Sequence, residues 1–308
     1  MPSDFEPLGA TTPPAIAHEL RAFYGGGVAG TLQALKGDAS TRRYYRFVAQ
    51  APAPGLPAQL VVMHLPEGAE TREAGRAQAE SFVDVQRWLH ARGIPVPAVH
   101  RAELDSGVML LEDLGDEMFE TRLRTRGEAA WTELYTQAID LLAELHARCA
   151  PPQDPAACIM YRRTFEPKLL RWELDHFREW GLEAVLGTLA PSDRAELDAA
   201  FDALTASLVA LPVGLVHRDY QSRNLMWAPD GGTGRLTVID FQDAMMGPAP
   251  YDLVALLCDS YVTIELPLQL AMLERYASRR GFTPAQHAEL VRGFRLISVQ
   301  RKLKDAGR

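Results

Sequence analysis

The chain has 308 residues, 47% of them hydrophobic, which is enough for roughly two domains with substantial cores. Its 32 Lys and Arg residues against 40 Asp and Glu residues give a net charge of −8, which argues against a nucleic-acid-binding protein, because phosphate contacts need a basic surface. Three cysteines without CxxC spacing, together with the lack of long apolar runs, predict a cytoplasmic protein with no signal peptide and no membrane span.

The first third of the chain is predicted to form a small sheet with two helices. The segment TTPPAIAHELRAFYGGG has a Thr cap, prolines in the first turn and glycines at its end, which is typical of a short helix. A second helix over 70–92 has helical periodicity and ends at Gly93. Strands are predicted at 31–35, 44–49, 59–65 and 108–111.

The rest of the chain is mainly helical by its 3.6-residue periodicity. Its exception is a β-like segment at 213–240. Helices are predicted at 128–148, 160–181, 191–210, 266–281 and 284–304. The pattern predicts an α+β fold with a small sheet-rich N-lobe (1–113) and a larger helical C-lobe (114–308).

The β-like segment contains HRDYQSRNLM at 217–226 and VIDFQDAMMGPAPYDLVALL, which begins at Val238. Taken singly, Asp219, Asn224 and Asp240 are ordinary turn residues. Their joint spacing suits phosphoryl transfer from ATP, which needs a carboxylate to orient or deprotonate the acceptor hydroxyl and hard oxygen ligands for Mg²⁺. Asp219 suits the first role, whereas Asn224 and Asp240 suit the second. The order H-x-D-x-x-x-x-N followed by D-F is that of the kinase catalytic core.

These motifs, together with GDASTRRYYRF at 37–47, LLEDLGD at 110–116 and QRKLK at 300–304, resemble the aminoglycoside phosphotransferase and choline kinase-like superfamily, which has the protein-kinase fold. Within it, the chain looks most like bacterial kinases that phosphorylate the anomeric hydroxyl of N-acetylmuramate and N-acetylglucosamine during peptidoglycan recycling. The resemblance implies a two-lobed kinase-like fold, ATP and Mg²⁺ as cofactors, and a further stretch of chain after QRKLK.

By the same resemblance, Asp219 is the catalytic base and contacts the acceptor, while Asn224 and Asp240 are the magnesium ligands. Asp252 is interpreted as a carboxylate that supports the catalytic loop, and His217 and Arg218 as scaffold. Asp243 remains open between a second metal ligand and a solvated loop carboxylate.

The nucleotide side lacks the GxGxxG motif of protein kinases. Gly37, Ser40 and Thr41 are predicted to cover the phosphates, although GDAST would also serve as a plain hairpin turn. His64 stands where protein kinases have a strand lysine that binds the phosphates. The cation that binds the phosphates is therefore either a protonated His64 or one of two arginines, Arg42 and Arg43. We favour an arginine in this role, which we call the phosphate clamp. Glu112 and Leu114 are predicted to meet adenine through their main chain.

The acceptor site is predicted in the segment 161–182, with Arg171 and Glu173 as substrate ligands. A guanidinium would suit the lactyl carboxylate of an acidic sugar, whereas an aminoglycoside or choline would need acidic groups or an aromatic cage, and both sets are present. Trp172, Phe177 and Trp180 are interpreted as core residues. The rival functions are an aminoglycoside or amino-alcohol phosphotransferase and a nucleotide-binding pseudokinase scaffold. We expect a monomer whose partners are ATP and a small amino sugar.

Overall fold

The computed structural model describes residues 6–9, 12–35, 42–65, 69–229, 232 and 234–307, with the main chain alone for 6–7 and 69–74. The predicted phosphate-covering residues Gly37, Ser40 and Thr41 lie outside the described residues. The chain forms two compact units. The first comprises Met1–Asp116 and Trp227–Thr237, and the second Glu117–Met226 and Val238–Arg308. The segment 227–237, which the sequence prediction assigned to the C-lobe, therefore groups with the N-terminal unit.

The first unit is built on a six-stranded sheet in the order β1-β2-β3-β4-β6-β5, with antiparallel pairing throughout. Two of its strands, β1 and β5, were not predicted. The strands are β1 (Glu6–Pro7), β2 (Ala29–Ala34), β3 (Arg43–Gln50), β4 (Gln59–His64), β5 (Val99–Glu103) and β6 (Val108–Glu112).

Two helices accompany this sheet, α1 (Pro14–Tyr24) and α2 (Ala69–Ala91). Helix α1 contributes Ile16 and Leu20 to a buried cluster with Phe47 and Leu60 of the sheet. The predicted Thr cap of α1 is wrong, because the N-cap residue is Pro13 and no side chain caps the helix. The Thr12 hydroxyl instead accepts a hydrogen bond from the amide of Gly9 at 3.3 Å.

The second unit is mainly helical, and no helix among the described residues is long and apolar enough to cross a membrane. Its helices are α3 (Phe119–Arg126), α4 (Trp131–Arg148), α5 (Pro167–His176), α6 (Ala184–Leu186), α7 (Pro191–Val209), α8 (Tyr251–Leu257), α9 (Leu266–Arg279) and α10 (Pro284–Ala306). Short 3-10 helices lie at Glu128–Ala130, Pro155–Ala157 and Ile159–Tyr161, and a π-helix at Phe177–Glu183.

Four short strands complete the chain, β7 (Val213–Val216), β8 (Leu225–Ala228), β9 (Arg235–Val238) and β10 (Met245–Pro248). Strand β7 pairs antiparallel with β10, and β8 pairs with β9. Because β7 ends at Val216 and β8 begins at Leu225, residues 217–224 form the loop between them, which we call the catalytic loop after its predicted role.

The predicted α+β class is confirmed, with the sheet in the N-terminal part and the helices in the C-terminal part. The single helix predicted at 160–181 is wrong. Residues Ile159–Tyr161 form a 3-10 helix, α5 begins only at Pro167, and the wider π-helix follows it. A proline is favoured in the first turn of a helix but not in its interior, which is why Pro167 starts a new helix.

Candidate active site

The catalytic loop is closed by hydrogen bonds between its own residues. The amide of Gln221 donates to the Asp219 carbonyl at 2.9 Å, and the Asn224 side-chain Nδ2 donates to the same carbonyl at 2.8 Å. This donation leaves the side-chain oxygen of Asn224 as an acceptor. The Asp219 side chain is 40% exposed, so its carboxylate is accessible to a ligand.

Asp252, in the first turn of α8, supports the N-terminal end of this loop. Its fully buried carboxylate accepts hydrogen bonds from the main-chain amides of His217 at 2.6 Å and Arg218 at 2.9 Å. Arg218 has a left-handed φ of 82°, which a side-chain-bearing residue adopts only when its surroundings enforce it. The interpretation of Asp252 as loop support is confirmed by these two contacts.

A further pair of side chains extends this support into the helical core. His146 of α4 lies 3.2 Å from the Asp252 carboxylate through Nε2 and 2.7 Å from the Tyr276 hydroxyl through Nδ1. Burial raises the pKa of Tyr276 to about 12, so its hydroxyl stays protonated and can exchange a hydrogen bond with Nδ1. Sequence reasoning missed His146, which lies 106 residues from Asp252 in the chain.

We expect Asp252→Ala to lower the free energy of unfolding by about 3 kcal/mol, because the main-chain amides of His217 and Arg218 lose their buried, charged acceptor. Urea denaturation monitored by circular dichroism would measure the change. The matched control is Asp193→Ala, which removes an exposed acid from the first turn of α7 and should cost less than about 1 kcal/mol. Equal losses in the two variants would contradict the supporting role.

A turn that contains two carboxylates, those of Asp240 and Asp243, lies beside the catalytic loop. The amide of Ile239 donates to the Asn224 carbonyl at 3.0 Å, which places Asp240 next to that loop. Asp240 itself has a left-handed φ of 61°. The side-chain amide of Gln242 donates to Asp240 at 2.8 Å and to Asp243 at 3.3 Å, so it joins the two carboxylates.

These donors fit magnesium by their chemistry. Amide and carboxylate oxygens are hard ligands, and Mg²⁺ is usually held by one or two carboxylates together with substrate phosphates. In the described part of the chain no group of three or more His, Cys, Asp or Glu residues could hold a metal, so a closed all-protein cage is not seen there. The assignment of Asn224 and Asp240 as metal ligands stays a prediction.

Both predicted acceptor ligands on α5 have partners within the second unit. Glu173 is buried, and its two carboxylate oxygens meet Gln300 at 2.6 Å and Lys304 at 3.0 Å. Arg171 is ion-paired to three acids, Asp175, Asp198 and Asp202. A substrate would therefore have to displace these partners, and the two roles stay predictions.

The aromatic residues of the same segment were predicted to lie in the core, but two of the three are exposed. Trp172 and Trp180 are 59% and 56% exposed, and only Phe177 is partly buried. The interpretation is wrong for both tryptophans. Trp172 lies off the buried face of α5, which carries Leu170, Glu173 and Leu174, and Trp180 lies in the π-helix, which has no buried residues. The Trp172 ring stacks on His176 with a centroid distance of 5.4 Å.

In the first unit, Arg43 and His64 are paired directly across strands β3 and β4. Opposed residues of antiparallel strands carry their side chains on the same face of the sheet, so two of the three candidates for the phosphate clamp are neighbours. His64 is buried, whereas Arg43 is exposed. Of the two, Arg43 is therefore the cation more accessible to an anionic ligand, and its role stays a prediction.

The LLEDLGD segment is fixed by an arginine that sequence reasoning missed. Arg46 of β3 meets the Asp113 carboxylate with two nitrogens, at 2.6 and 3.0 Å, and donates to the Gly115 carbonyl at 3.1 Å. Hydrogen bonds to Asp113 and Asp116 raise the pKa of Arg46, and the Asp113 side chain is only 1% exposed. The motifs RRYYRF and LLEDLGD are thus joined by Arg46, which meets Asp113 and Asp116 with two nitrogens each.

The predicted adenine-contacting residues lie at the same place. Glu112 ends β6, and its main-chain amide donates to Ala98 at 2.8 Å while its carboxylate accepts from Ala98 at 3.0 Å and Arg235 at 3.1 Å. Leu114 is buried. Their contact with adenine stays a prediction.

Asp240 just after β9, a partly exposed Asp219 on a loop supported by Asp252, and a small antiparallel sheet are the features expected of a phosphotransferase of the kinase-like class. The chain belongs to the phosphotransferase enzyme family (APH), whose model matches residues 31–290. The predicted family, fold and phosphotransferase class are confirmed, so the chain is a nucleotide-dependent small-molecule phosphotransferase.

Within this family, the chain is similar to several bacterial kinases that share one name. The chain is 33% identical to the N-acetylmuramate/N-acetylglucosamine kinase of Pseudomonas aeruginosa over 276 residues, which cover 88% of this chain and 73% of the relative. It is 31% identical to the kinase of the same name from Pseudomonas putida, with coverage of 91% and 76%. For the Caulobacter vibrioides kinase of that name the identity is 30%, with coverage of 80% and 72%.

Solved structures agree in fold. The ADP-bound aminoglycoside phosphotransferase APH(2'')-Ib superposes with a TM-score of 0.62 and 16% identity, covering 92% of this chain and 86% of that one. The streptomycin–ATP complex of APH(2'')-IIa gives a TM-score of 0.61, again with 16% identity, and covers 92% and 87%. At this identity the likeness concerns the fold alone.

Proposed function

We propose that this chain uses ATP to phosphorylate the anomeric hydroxyl of N-acetylmuramate and N-acetylglucosamine. The observation that carries the proposal is the identity of 30–33% to kinases of that name over at least 80% of the chain. The structural likeness to aminoglycoside phosphotransferases supports the alternative acceptor less, because at 16% identity it reports the fold only. A peptidoglycan-recycling role follows from the amino-sugar acceptor.

Asp219 is the group that acts on the acceptor. Its accessible carboxylate aligns the hydroxyl and takes up the hydroxyl proton. The acceptor oxygen then forms a bond to the γ-phosphorus, and the bond from that phosphorus to the β–γ bridging oxygen breaks, which yields a sugar 1-phosphate and ADP. A hemiacetal hydroxyl is more acidic than an ordinary alcohol, so this reaction does not require an unusually basic carboxylate.

Asn224 and Asp240 would hold Mg²⁺, which when bound neutralises charge on the nucleotide phosphates. The Asn224 side chain has its oxygen left as an acceptor by the donation of Nδ2 to Asp219, which supports this role. The first unit would bind the nucleotide, with Arg43 as the phosphate clamp beside His64. The main chain at Glu112 and Leu114 would meet adenine, and Gly37, Ser40 and Thr41 would cover the phosphates.

The acceptor would contact the second unit, where Arg171 and Glu173 were predicted as ligands. The partners that both side chains already have favour a structural role, so recognition of the lactyl carboxylate by Arg171 would require exchange with an aspartate. We expect a monomer that binds ATP and a small amino sugar as its partners.

We expect ADP release with N-acetylmuramate and N-acetylglucosamine, and little or none with kanamycin or choline. The 1-O-methyl glycoside of N-acetylglucosamine is the matched control acceptor, because it keeps every hydroxyl except the anomeric one and should not be phosphorylated. Phosphorus NMR of the product should show a resonance split by the anomeric ring proton.

Turnover of the methyl glycoside would mean that another hydroxyl receives the phosphate, which would refute the anomeric assignment. Turnover confined to kanamycin-like acceptors would replace the amino sugar by an aminoglycoside. Binding of Mg-ATP in a thermal-shift assay without ADP release on any acceptor would favour a pseudokinase scaffold.

A further inference from the structure

One buried cation near the catalytic loop has no part in the mechanism above. Arg301 of α10 is 7% exposed in its side chain, and its Nη2 lies 3.6 Å from Oδ1 of Asp219. Its Nη1 donates to the Arg218 carbonyl at 3.3 Å. The same guanidinium lies 5.3 Å from the centre of the Tyr251 ring. Arg301 therefore touches the loop both at its main chain and at the carboxylate of its central acid.

The contacts of helix α10 fix the position of the Arg301 guanidinium. The helix begins with a capping box formed by Thr283 and Gln286. One residue before Arg301 and three residues after it, Gln300 and Lys304 bind the two oxygens of buried Glu173 on α5. Contacts on both sides of Arg301 fix the rotation and the register of α10, because residues three and four positions apart share a helix face.

The charge of Arg301 is kept in spite of its burial. Desolvation opposes the charged form, but the hydroxyl of Tyr251 and the carboxylates of Asp219 and Asp305 outweigh it and raise the pKa of Arg301. An ion-pair distance of 3.6 Å is longer than a direct hydrogen bond, so Arg301 attracts the Asp219 carboxylate without occupying its hydrogen-bonding positions. The exposed fraction of that carboxylate is consistent with this arrangement.

We propose that Arg301 is a positioning residue of the phosphoryl transfer, which acts by holding the carboxylate of Asp219 in the orientation that receives the acceptor proton. This inference rests on the proposed role of Asp219. Arg301 itself touches neither substrate in the proposal, so its loss lowers kcat and leaves the KM for the acceptor and for ATP within about twofold. A misdirected base is expected to lower kcat by roughly 10- to 100-fold.

A double-mutant cycle with Asp219→Asn separates positioning from a purely structural contribution. In the wild-type background, Arg301→Gln should lower kcat by roughly 10- to 100-fold, whereas in the Asp219→Asn background it should lower kcat by less than about threefold. Structural damage that reaches the loop through the Arg218 carbonyl would lower kcat equally in both backgrounds. Additive effects would therefore overturn the proposal.

Two further variants complete the test. Arg292→Gln is the matched control, since Arg292 lies on the same helix but pairs with exposed Glu289 and should not alter kcat. Arg301→Lys keeps a cation and should recover at least half of the lost activity on a logarithmic scale. If Arg301→Gln does not fold, the cycle is run with Arg301→Met, which removes the charge and keeps an unbranched side chain. No recovery by lysine, or a rise in KM at unchanged kcat, would overturn the proposal. Wild-type turnover in Asp219→Asn alone would refute the role of Asp219 itself, which is a different failure.

Discussion

Asp219→Asn is expected to lower kcat by roughly 10²-fold or more with little change in nucleotide affinity, because the lost carboxylate acts mainly in the transition state. The substitution leaves the loop intact. The contacts from Gln221 and Asn224 go to the Asp219 carbonyl, which asparagine retains. Steady-state ADP release with N-acetylmuramate, paired with calorimetric titration of ADP, would measure both quantities.

The matched control for this variant is Glu289→Gln, which neutralises an exposed carboxylate on α10 and should leave kcat unchanged. If Asp219→Asn turned over like the control, the assignment of the catalytic base would be wrong. If nucleotide affinity fell with kcat, the residue would belong to the nucleotide site instead.

Asp240→Ala is expected to abolish the magnesium-dependent part of nucleotide binding. The carboxylate is the one charged group of the proposed metal pair, and an amide alone holds Mg²⁺ poorly. Calorimetric titration of ADP with and without MgCl₂ measures the difference directly. Wild-type protein should bind more tightly with the metal, and the variant should bind equally in both conditions.

The backbone at Asp240 makes a second substitution necessary. Its φ of 61° is tolerated better by Asn and Asp than by Ala, so Asp240→Ala combines loss of charge with strain. Asp240→Asn removes the charge alone and should give the same loss of magnesium dependence. Asp243→Asn examines the neighbouring acid, and retention of magnesium-dependent binding there would leave Asp240 as the metal carboxylate. Magnesium dependence preserved in Asp240→Asn would contradict the assignment.

The order of helices and strands was accessible from the sequence because it depends on local spacing. Helix α10 was predicted at 284–304 and is observed at Pro284–Ala306, and β4 was predicted at 59–65 and is observed at Gln59–His64. Short elements such as β1 and β5 were missed, since a few residues carry too little periodicity to be recognised. The exposure of Trp172 was also missed, because helical spacing reveals a stripe of residues but not which stripe is covered.

The chemistry of the site divides in the same way. The spacing of Asp219, Asn224 and Asp240 lies within short motifs, so the sequence by itself determined the family and the proposed roles of these residues. The residues that support them come from distant parts of the chain. The support from Asp252 was expected by resemblance, but the two loop amides that it binds and its contact with His146 came only from the tertiary structure.

The partners in the ion pairs also depend on the tertiary structure and not on local spacing. The sequence contains Arg46, Glu173 and Arg301 but does not state which carboxylate or amide each one meets. Arg46 meets Asp113 across 67 residues, and Gln300 meets Glu173 across 127. Such partners are selected by the packing of buried faces, because a buried charge is tolerated only beside an opposite charge or a hydrogen-bonding group, and packing is a property of the folded chain.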